Sequence, residues 1–574
     1  MHSTATQTPR TLWVGLIACA WSLLFVWQGL DFTDMGFWLT SFQQHYTCPE
    51  AIPAPCWLSS FIGHWLGSAL GGSVVAYKLA HVAVVTTLAT ISYRLLAARL
   101  GPSRPLAAAV LLTVVFTRVF GGNWLDYYDV TALFYLGGAT LLFWGLIQQR
   151  KLLVLSAGAV LGANLFVRLP NVLGVALVSG VWLYTWANRG SWRDVLTGSA
   201  WFLGGFLAGA ALIWGLIVWH GHQAVYVHGL QVIFGWAADS DSHHSGSGLL
   251  STFVGDQLKA FRKGFLLLLL GGAIAIWVNR QKATLKWIVV LLGAVLLANL
   301  LQNKSQWRHM IPGVCYLVLL TVVWREFRKD RGLALLAFLG AMVLVLAPLG
   351  SGSGIAISMY GMWLALPLSL LMLWRHSGFA IKRIVIEPQA IQGLALTIAL
   401  AVLFQSLVSA WRYTFLDSPN RLTMTHPIKR PHLFGTYTTA ARAKVVAELL
   451  EAMARFTKPG DAVLAYNGIP TVHFLTETHP WLGNPWPDME SAGKLAALVR
   501  QKEQTNSLPC IVRATGSTYA YSWPANPQPV ADWWGQKEAR QVFVAFEQRH
   551  QYGVVWTNAF FEILTPAGQP EHAR

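Results

Sequence analysis

Apolar runs long enough to cross a bilayer recur from Thr11 to about Trp411, with short polar breaks between them. Of the 574 residues, 54% are hydrophobic and only 12% are charged, where soluble domains carry roughly 25% charged residues. Such a chain satisfies its backbone polar groups in hydrocarbon by forming helices. Windows of about 17–25 residues place about thirteen spans at 11–30, 73–93, 105–120, 130–148, 152–168, 171–187, 195–219, 263–279, 286–302, 310–325, 333–349, 356–374 and 390–410. The first run has no small-residue cleavage site and many spans follow it, so it reads as a span and not as a removed signal.

The formal charge of +17 does not point to nucleic acid. Alternate loops hold Arg94, Arg99 and Arg104, then Arg150 and Lys151, Arg189 and Arg193, and Arg280, Lys282 and Lys286. Arg325, Arg328, Lys329 and Arg331 follow, then Arg375, Lys382 and Arg383. By the positive-inside rule these loops and the N-terminus are cytoplasmic. An odd number of spans then puts the C-terminus outside. The 28 Trp cluster near span ends, as interfacial belts require. The expected location is the inner membrane of a bacterium, multi-pass, with membrane lipids as neighbours.

Three external segments are long. Residues 31–72 contain Trp57-Leu-Ser-Ser-Phe-Ile-Gly-His-Trp65, which reads as an interfacial helix. Residues 220–262 contain a Gly/Ser/His-rich run from Asp239 that reads as a mobile loop. The third is a polar tail, 411–574, expected as a periplasmic α/β domain beside a transmembrane domain of 1–410. Its pattern predicts a helix at Ala440–Arg455, strands at Ala462–Tyr466 and Cys510–Ala514, a helix at Arg540–Arg549 and a strand pair across Val554–Leu564. Five cysteines are present, and Cys48 and Cys56 share one loop. A disulfide between them and two free thiols both stay open.

The acids cluster in the external loops. Asp31 and Asp34 stand three apart after the first span, so one helical face would aim both at one spot. A carboxylate beside an apolar surface has a raised pKa and suits a general base for a hydroxyl. The other reading is a pair of helix caps. Asn123-Trp-Leu-Asp126-Tyr127-Tyr128-Asp129 repeats the pattern with aromatics, which suit the apolar faces and polar rims of sugars. There too, a belt and a cap compete with the binding role.

Arg168, in Phe166-Val-Arg-Leu-Pro-Asn171, and Lys304 and Arg308 are external cations placed to hold an anion such as a lipid phosphate, or to snorkel to headgroups. His220, His222, His228, His243 and His244, near Asp239 and Asp241, match no zinc spacing. No cofactor is marked by a motif, and Asp residues elsewhere suit a divalent cation. The chain lacks GxxxxGK[ST] and any strand-borne GxGxxG, so nucleotide phosphates are not expected.

The first-loop Asp34-Met-Gly-Phe-Trp-Leu39 resembles the Asp-Glu-Gly-x-Tyr-Leu type of motif in GT-C superfamily glycosyltransferases, such as protein O-mannosyltransferases and lipid A aminoarabinose transferases. The Asn/Tyr-rich second loop, Arg168-Leu-Pro-Asn171, the turn Gly350-Ser-Gly-Ser-Gly354 and the external tail are similar too. The resemblance implies a GT-C-like polytopic helical fold with an extracytoplasmic α/β domain. It also implies a polyprenyl-phosphate sugar donor, a lipid, glycan or protein acceptor, and Asp34 as catalytic base. Met35 stands where that family has a second acid, so Asp31 is either its substitute or a cap.

The expected reaction is an inverting sugar transfer. Asp34 takes the hydroxyl proton, Asp126, Tyr127, Tyr128 and Asp129 shape the sugar pocket, and Arg168, Lys304 and Arg308 hold the leaving phosphate. The tail turns Asn467–Pro470 and Trp481–Trp486 are either acceptor contacts or structural. The rival readings are a lipid-linked glycan flippase or transporter, marked by broken helices and midplane charges, and a scaffold without activity.

Overall fold

The structure, a computed structural model, describes residues 7–53, 56–117, 122–238, 245–279, 283–302, 304–376, 379–381, 384–505, 507–529 and 536–567. It is a polytopic helical protein with a C-terminal sheet. In chain order the helices of the apolar part are α1 (Gln7–Leu23), α2 (Asp34–Gln43), α3 (Trp57–Ala69), α4 (Val74–Leu100), α5 (Arg104–Thr117), α6 (Tyr127–Ile147) and α7 (Lys151–Asn164). There follow α8 (Ser179–Ala187), α9 (Trp192–Trp219), α10 (Gln223–Ala238), α11 (Gly246–Asn279), α12 (Ala283–Leu301), α13 (Lys304–Glu326), α14 (Arg331–Leu346), α15 (Met362–Trp374) and α16 (Pro388–Arg412). Among the described residues, six helical segments are individually long and apolar enough to cross a membrane.

Several helices start where short polar side chains accept the first free amides. Ser73 accepts from Ala76 N, Asp126 from Tyr128 N and Asp129 N, and Asp330 from Leu333 N. Ser191 and Asp194 form a capping box on α9. Within the bundle, small residues set the closest approach. A Cβ on Gly158 or Gly162 of α7 would overlap backbone of Phe202 or Phe206, and one on Gly205 or Gly209 of α9 would overlap backbone of Leu155 or Ala159. Gly158, Gly162, Gly205 and Gly209 are therefore packing contacts of small-xxx-small type.

Several expectations change. The first span ends at Leu23 and not at 30, and the chain turns through Phe25 (φ 64°) and Gly29 (φ 101°). Segment 220–262 is mostly helix, α10 and the first half of α11, because no proline interrupts it and leucines recur through 249–270. The expected mobile run from Asp239 falls largely at 239–244, outside the described residues. Two expected spans begin as 3-10 turns, at Leu169–Val178 and Gly354–Gly361.

The tail forms a five-stranded sheet in the order His479–Pro480, Ala462–Tyr466, Cys510–Ala514, Phe561–Pro566, Tyr552–Thr557. Ala462–Tyr466 runs parallel to both of its neighbours, and Phe561–Pro566 runs antiparallel to both of its own, with Val512 opposite Ile563 on one side and Val554 opposite Leu564 on the other. The helices α17 (Ala440–Phe456), α18 (Thr471–Thr476), α19 (Ala492–Thr505) and α20 (Gln536–Arg549) accompany the sheet. The predicted helices and strands of the tail all fall on these elements, whereas α18 and α19 were not foreseen. One apolar core runs from Leu30, Phe32, Met35 and Leu39 into Val446, Val463, Ile469 and Phe561. The first loop and the tail thus share a single hydrophobic interior.

Candidate active site

Asp31 and Asp34 do not share a helix. Asp31 precedes α2, and its carboxylate accepts from Thr33 N (2.9 Å), Thr33 Oγ1 (2.7 Å) and Met35 N (2.8 Å). It is a buried capping group, and Thr33, at the N-cap position itself, makes no side-chain cap. Burial pushes its pKa up to about 6, with the three donors opposing the rise. Asp34 is the first residue of α2 and is half-buried. Its carboxylate makes no hydrogen bond to the described residues. Burial, and then the Asp31 charge, push its pKa up to about 7.

The second acidic pair sits close by. Asp126 caps α6 by accepting from Tyr128 N (2.8 Å) and Asp129 N (3.0 Å). Its pKa lies well above the usual carboxylate range through burial, then the charge of Asp129, with Asp34 adding to it. Asp129 is buried and paired with His81 Nδ1 on α4 at 2.7 Å. Asp126, and not Asp129, is the cap of α6, and its neighbours build an aromatic wall. Tyr127 lies 4.5 Å from the Trp38 ring and 3.9 Å from Tyr128. Tyr128 stacks on Tyr360 at 4.5 Å and 6°.

Arg168 stands at the N-cap of the 3-10 segment Leu169–Val178 and is buried. Its Nη2 donates to Ala347 O at 2.8 Å, while its Nε is buried with no partner. The guanidinium lies close enough to Tyr127 and Tyr128 to act on both electrostatically. Arg168 is thus grouped with the tyrosines, and Asp34 with Asp126, the cap of the helix that carries them. Arg308 stands apart, with Asp256 as its charged neighbour. Asp256 also pairs with His309 Nε2 at 3.1 Å and accepts from Ile355 N at 3.1 Å. Lys304 opens α13, and the position of its side chain lies outside what is described.

The tail holds the acidic loop in place. Thr471 Oγ1 donates to Asp31 O (2.9 Å) and Thr471 N to Phe32 O (3.3 Å). Leu30 N donates to Asp417 Oδ2 (2.7 Å), and Asp417 pairs with Arg442 Nη1 at 2.6 Å. Phe32 packs on Trp523 and Phe561. The turns expected as acceptor contacts or as structure are structural. Ile469, Trp481 and Trp486 are buried, and Asp488 accepts from Asn467 N and Gly468 N.

Sequence reasoning missed Lys78, His81, Tyr360, Asp417, Arg442 and Thr471. Lys78 and His81 carried a signal, as ionisable residues three apart on one face of an apolar span. Lys78 is buried and donates from Nζ to Gln28 O (2.9 Å) and Gly29 O (2.6 Å).

Cys48 and Cys56 are free thiols. His220 and His222 pack with His45 and His64, and the His45 and His222 rings lie 5.2 Å apart. His228 lies on α10, and His243, His244, Asp239 and Asp241 lie outside the described residues. Among the described residues, no three His, Cys, Asp or Glu side chains converge to hold a metal.

No family model and no curated protein matches the chain. Among solved structures it is similar to an oligosaccharyltransferase of Archaeoglobus fulgidus, described as a complex with Zn and sulfate, at 11% identity. That match covers 95% of this chain and 71% of the other, with a TM-score of 0.46. It is also similar to ArnT of Cupriavidus metallidurans bound to undecaprenyl phosphate, at 11% identity over 98% of both chains, with a TM-score of 0.43. The same enzyme in its apo state gives 12% identity and a TM-score of 0.39. These likenesses concern layout only, and the functional reading rests on the site itself.

Proposed function

We propose that this chain is a GT-C-type membrane glycosyltransferase that moves a sugar from a polyprenyl-phosphate donor to an extracytoplasmic hydroxyl with inversion. The observation that carries the reading is Asp34: a carboxylate with no hydrogen bond to the described residues and a pKa raised to about 7. Its charge acts on Asp126, which caps the helix that carries the aromatic wall, and that wall lies within reach of a buried arginine whose Nε has no partner among the described residues. A base works best when its pKa lies near the working pH. Asp34 takes the acceptor proton as the hydroxyl oxygen attacks the anomeric carbon, and the bond to the lipid phosphate breaks. Arg168 receives the charge that develops on that phosphate. Tyr127, Tyr128 and Tyr360 offer ring faces to the sugar. Asp126 and Asp129 fix the wall through the helix cap and the His81 pair. Asp31 positions α2 and does not touch substrate. Segment 411–574 acts as the external domain that braces the acidic loop.

In this reading the protein is an inner-membrane protein with its C-terminal segment in the periplasm, as the loop charges support. One observation favours the transporter reading: the 3-10 starts at Leu169 and Gly354 are broken spans at the site. A single experiment separates the two. Membranes carrying the wild type or Asp34→Asn are compared for surface glycans and lipids by mass spectrometry. Loss of one sugar modification in the variant, with normal protein level, supports transfer. Unchanged modification overturns Asp34 as base, and accumulation of an untransported lipid supports the transporter.

A further inference from the structure

At the other end of α4 lies a groove that the transferase reading does not use. It has a volume of about 980 Å³, and Leu12, Leu16 and Cys19 of α1, Ile91 and Arg94 of α4 and Trp144 of α6 are among the residues that line it. Leu12 is 61% and Leu16 49% exposed, so the α1 wall is open and apolar. Two of the threonines in the groove turn inward to their own helices, while Thr86 Oγ1 is buried with no partner among the described residues. Thr90 Oγ1 bonds back to Thr86 O and Thr140 Oγ1 to Leu136 O, so both hydroxyls are spent on their own helices. One end differs. Arg94 is exposed and has no partner among the described residues.

The charges around that end are also spoken for, and they are positive. Arg99 pairs with Asp330, Arg10 donates to Pro102 O, and Arg375 donates to Leu100 O. An acid arriving at Arg94 therefore meets a basic rim whose nearby carboxylate is already neutralised. Along the helix, Arg94 lies about 20 Å from His81 at 1.5 Å per residue. That is more than half of a hydrocarbon core about 30 Å thick. The groove therefore belongs to the leaflet opposite the Asp34 site and is separate from any donor bound there.

We propose that this groove is a site for an anionic phospholipid. An acyl chain lies along α1 and α4, and the headgroup phosphate is held by Arg94. The inference does not rest on the transferase reading. Charge complementarity selects the occupant: an apolar trough ending in one unpaired guanidinium, on the basic face of the bundle, matches a chain with a phosphate at its end.

The full-length protein is stripped of lipid in detergent and titrated with phosphatidylglycerol or phosphatidylcholine, with bound lipid counted by native mass spectrometry. Wild type is expected to retain phosphatidylglycerol about tenfold more tightly than phosphatidylcholine. Arg94→Gln is expected to bring the two to the same level, and Cys19→Trp, which fills the trough, to reduce both. Arg94 is exposed, so unchanged elution and thermal unfolding of Arg94→Gln exclude misfolding, and Arg94→Lys restores part of the preference. Equal retention of both lipids by wild type, or an unchanged preference in Arg94→Gln, overturns the proposal. Displacement of phosphatidylglycerol from wild type, but not from Arg94→Gln, by a polyprenyl phosphate overturns the choice of occupant.

Discussion

Gly36 has no side chain because the backbone of Thr471 lies where its Cβ would be. The two residues lie far apart in the chain and bring α2 against α18. The same threonine donates to the carbonyls of Asp31 and Phe32. Gly36→Ala is therefore expected to push α18 away, at a cost of about 1–3 kcal/mol. Sugar transfer should fall further than the loss of folded protein explains, because Asp34 is two residues from the clash. Thermal unfolding and transfer assays on the same preparation check this.

Asp34 must be ionised to accept a proton. With its pKa near 7, the transfer rate should climb about tenfold per pH unit below that value and level off above it. A rate that is flat between pH 5 and 8 would remove Asp34 from the role of base.

The same shift has a stability consequence of opposite sense. The folded chain holds the Asp34 proton more tightly than the unfolded chain does. The stability this gives is full below about 3.8 and is lost as the pH rises through about 7. Asp34→Asn removes the buried charge, so it should unfold at a higher temperature than wild type at pH 8 while being inactive. Asp31→Asn should behave differently. It weakens the cap on Met35 N and Thr33 N and costs about 1 kcal/mol, and part of the activity survives.

Arg442→Met leaves the Asp417 carboxylate buried without its cation. Breaking such a pair costs about 3–5 kcal/mol. Asp417 also accepts from Leu30 N, so the loss should reach the acidic loop. Faster hydrogen exchange at residues 30–36 than in the spans is the expected result.

Much of the bundle was legible because a lipid solvent leaves little choice. Apolar runs of sufficient length become helices, and among the described residues six are individually long and apolar enough to cross a membrane. The tail strands were legible from their alternation for the same local reason. The acidic loop was not. Placing Asp31 and Asp34 on one helical face assumed a helix running on from the first span, but the chain turns after Leu23 and restarts at Asp34. Nothing local marks that restart, because its partners Thr471 and Asp417 lie hundreds of residues away. The six-residue α18 was missed because it is too short to show a period. Arg168 was found as a cation in an unexpected place. Tyr360, in an apolar run, carried no signal until the fold brought it against Tyr128.

The bond from Thr471 to Asp31 spans 440 positions, which gives the site a place in time during synthesis. The first helices enter the membrane long before the residues that brace Asp31 are made. Each new molecule is therefore a membrane-inserted chain with an unfinished centre until its last quarter emerges and docks. A chain released early would be inserted and chemically silent, so chemistry at the membrane begins only with complete copies.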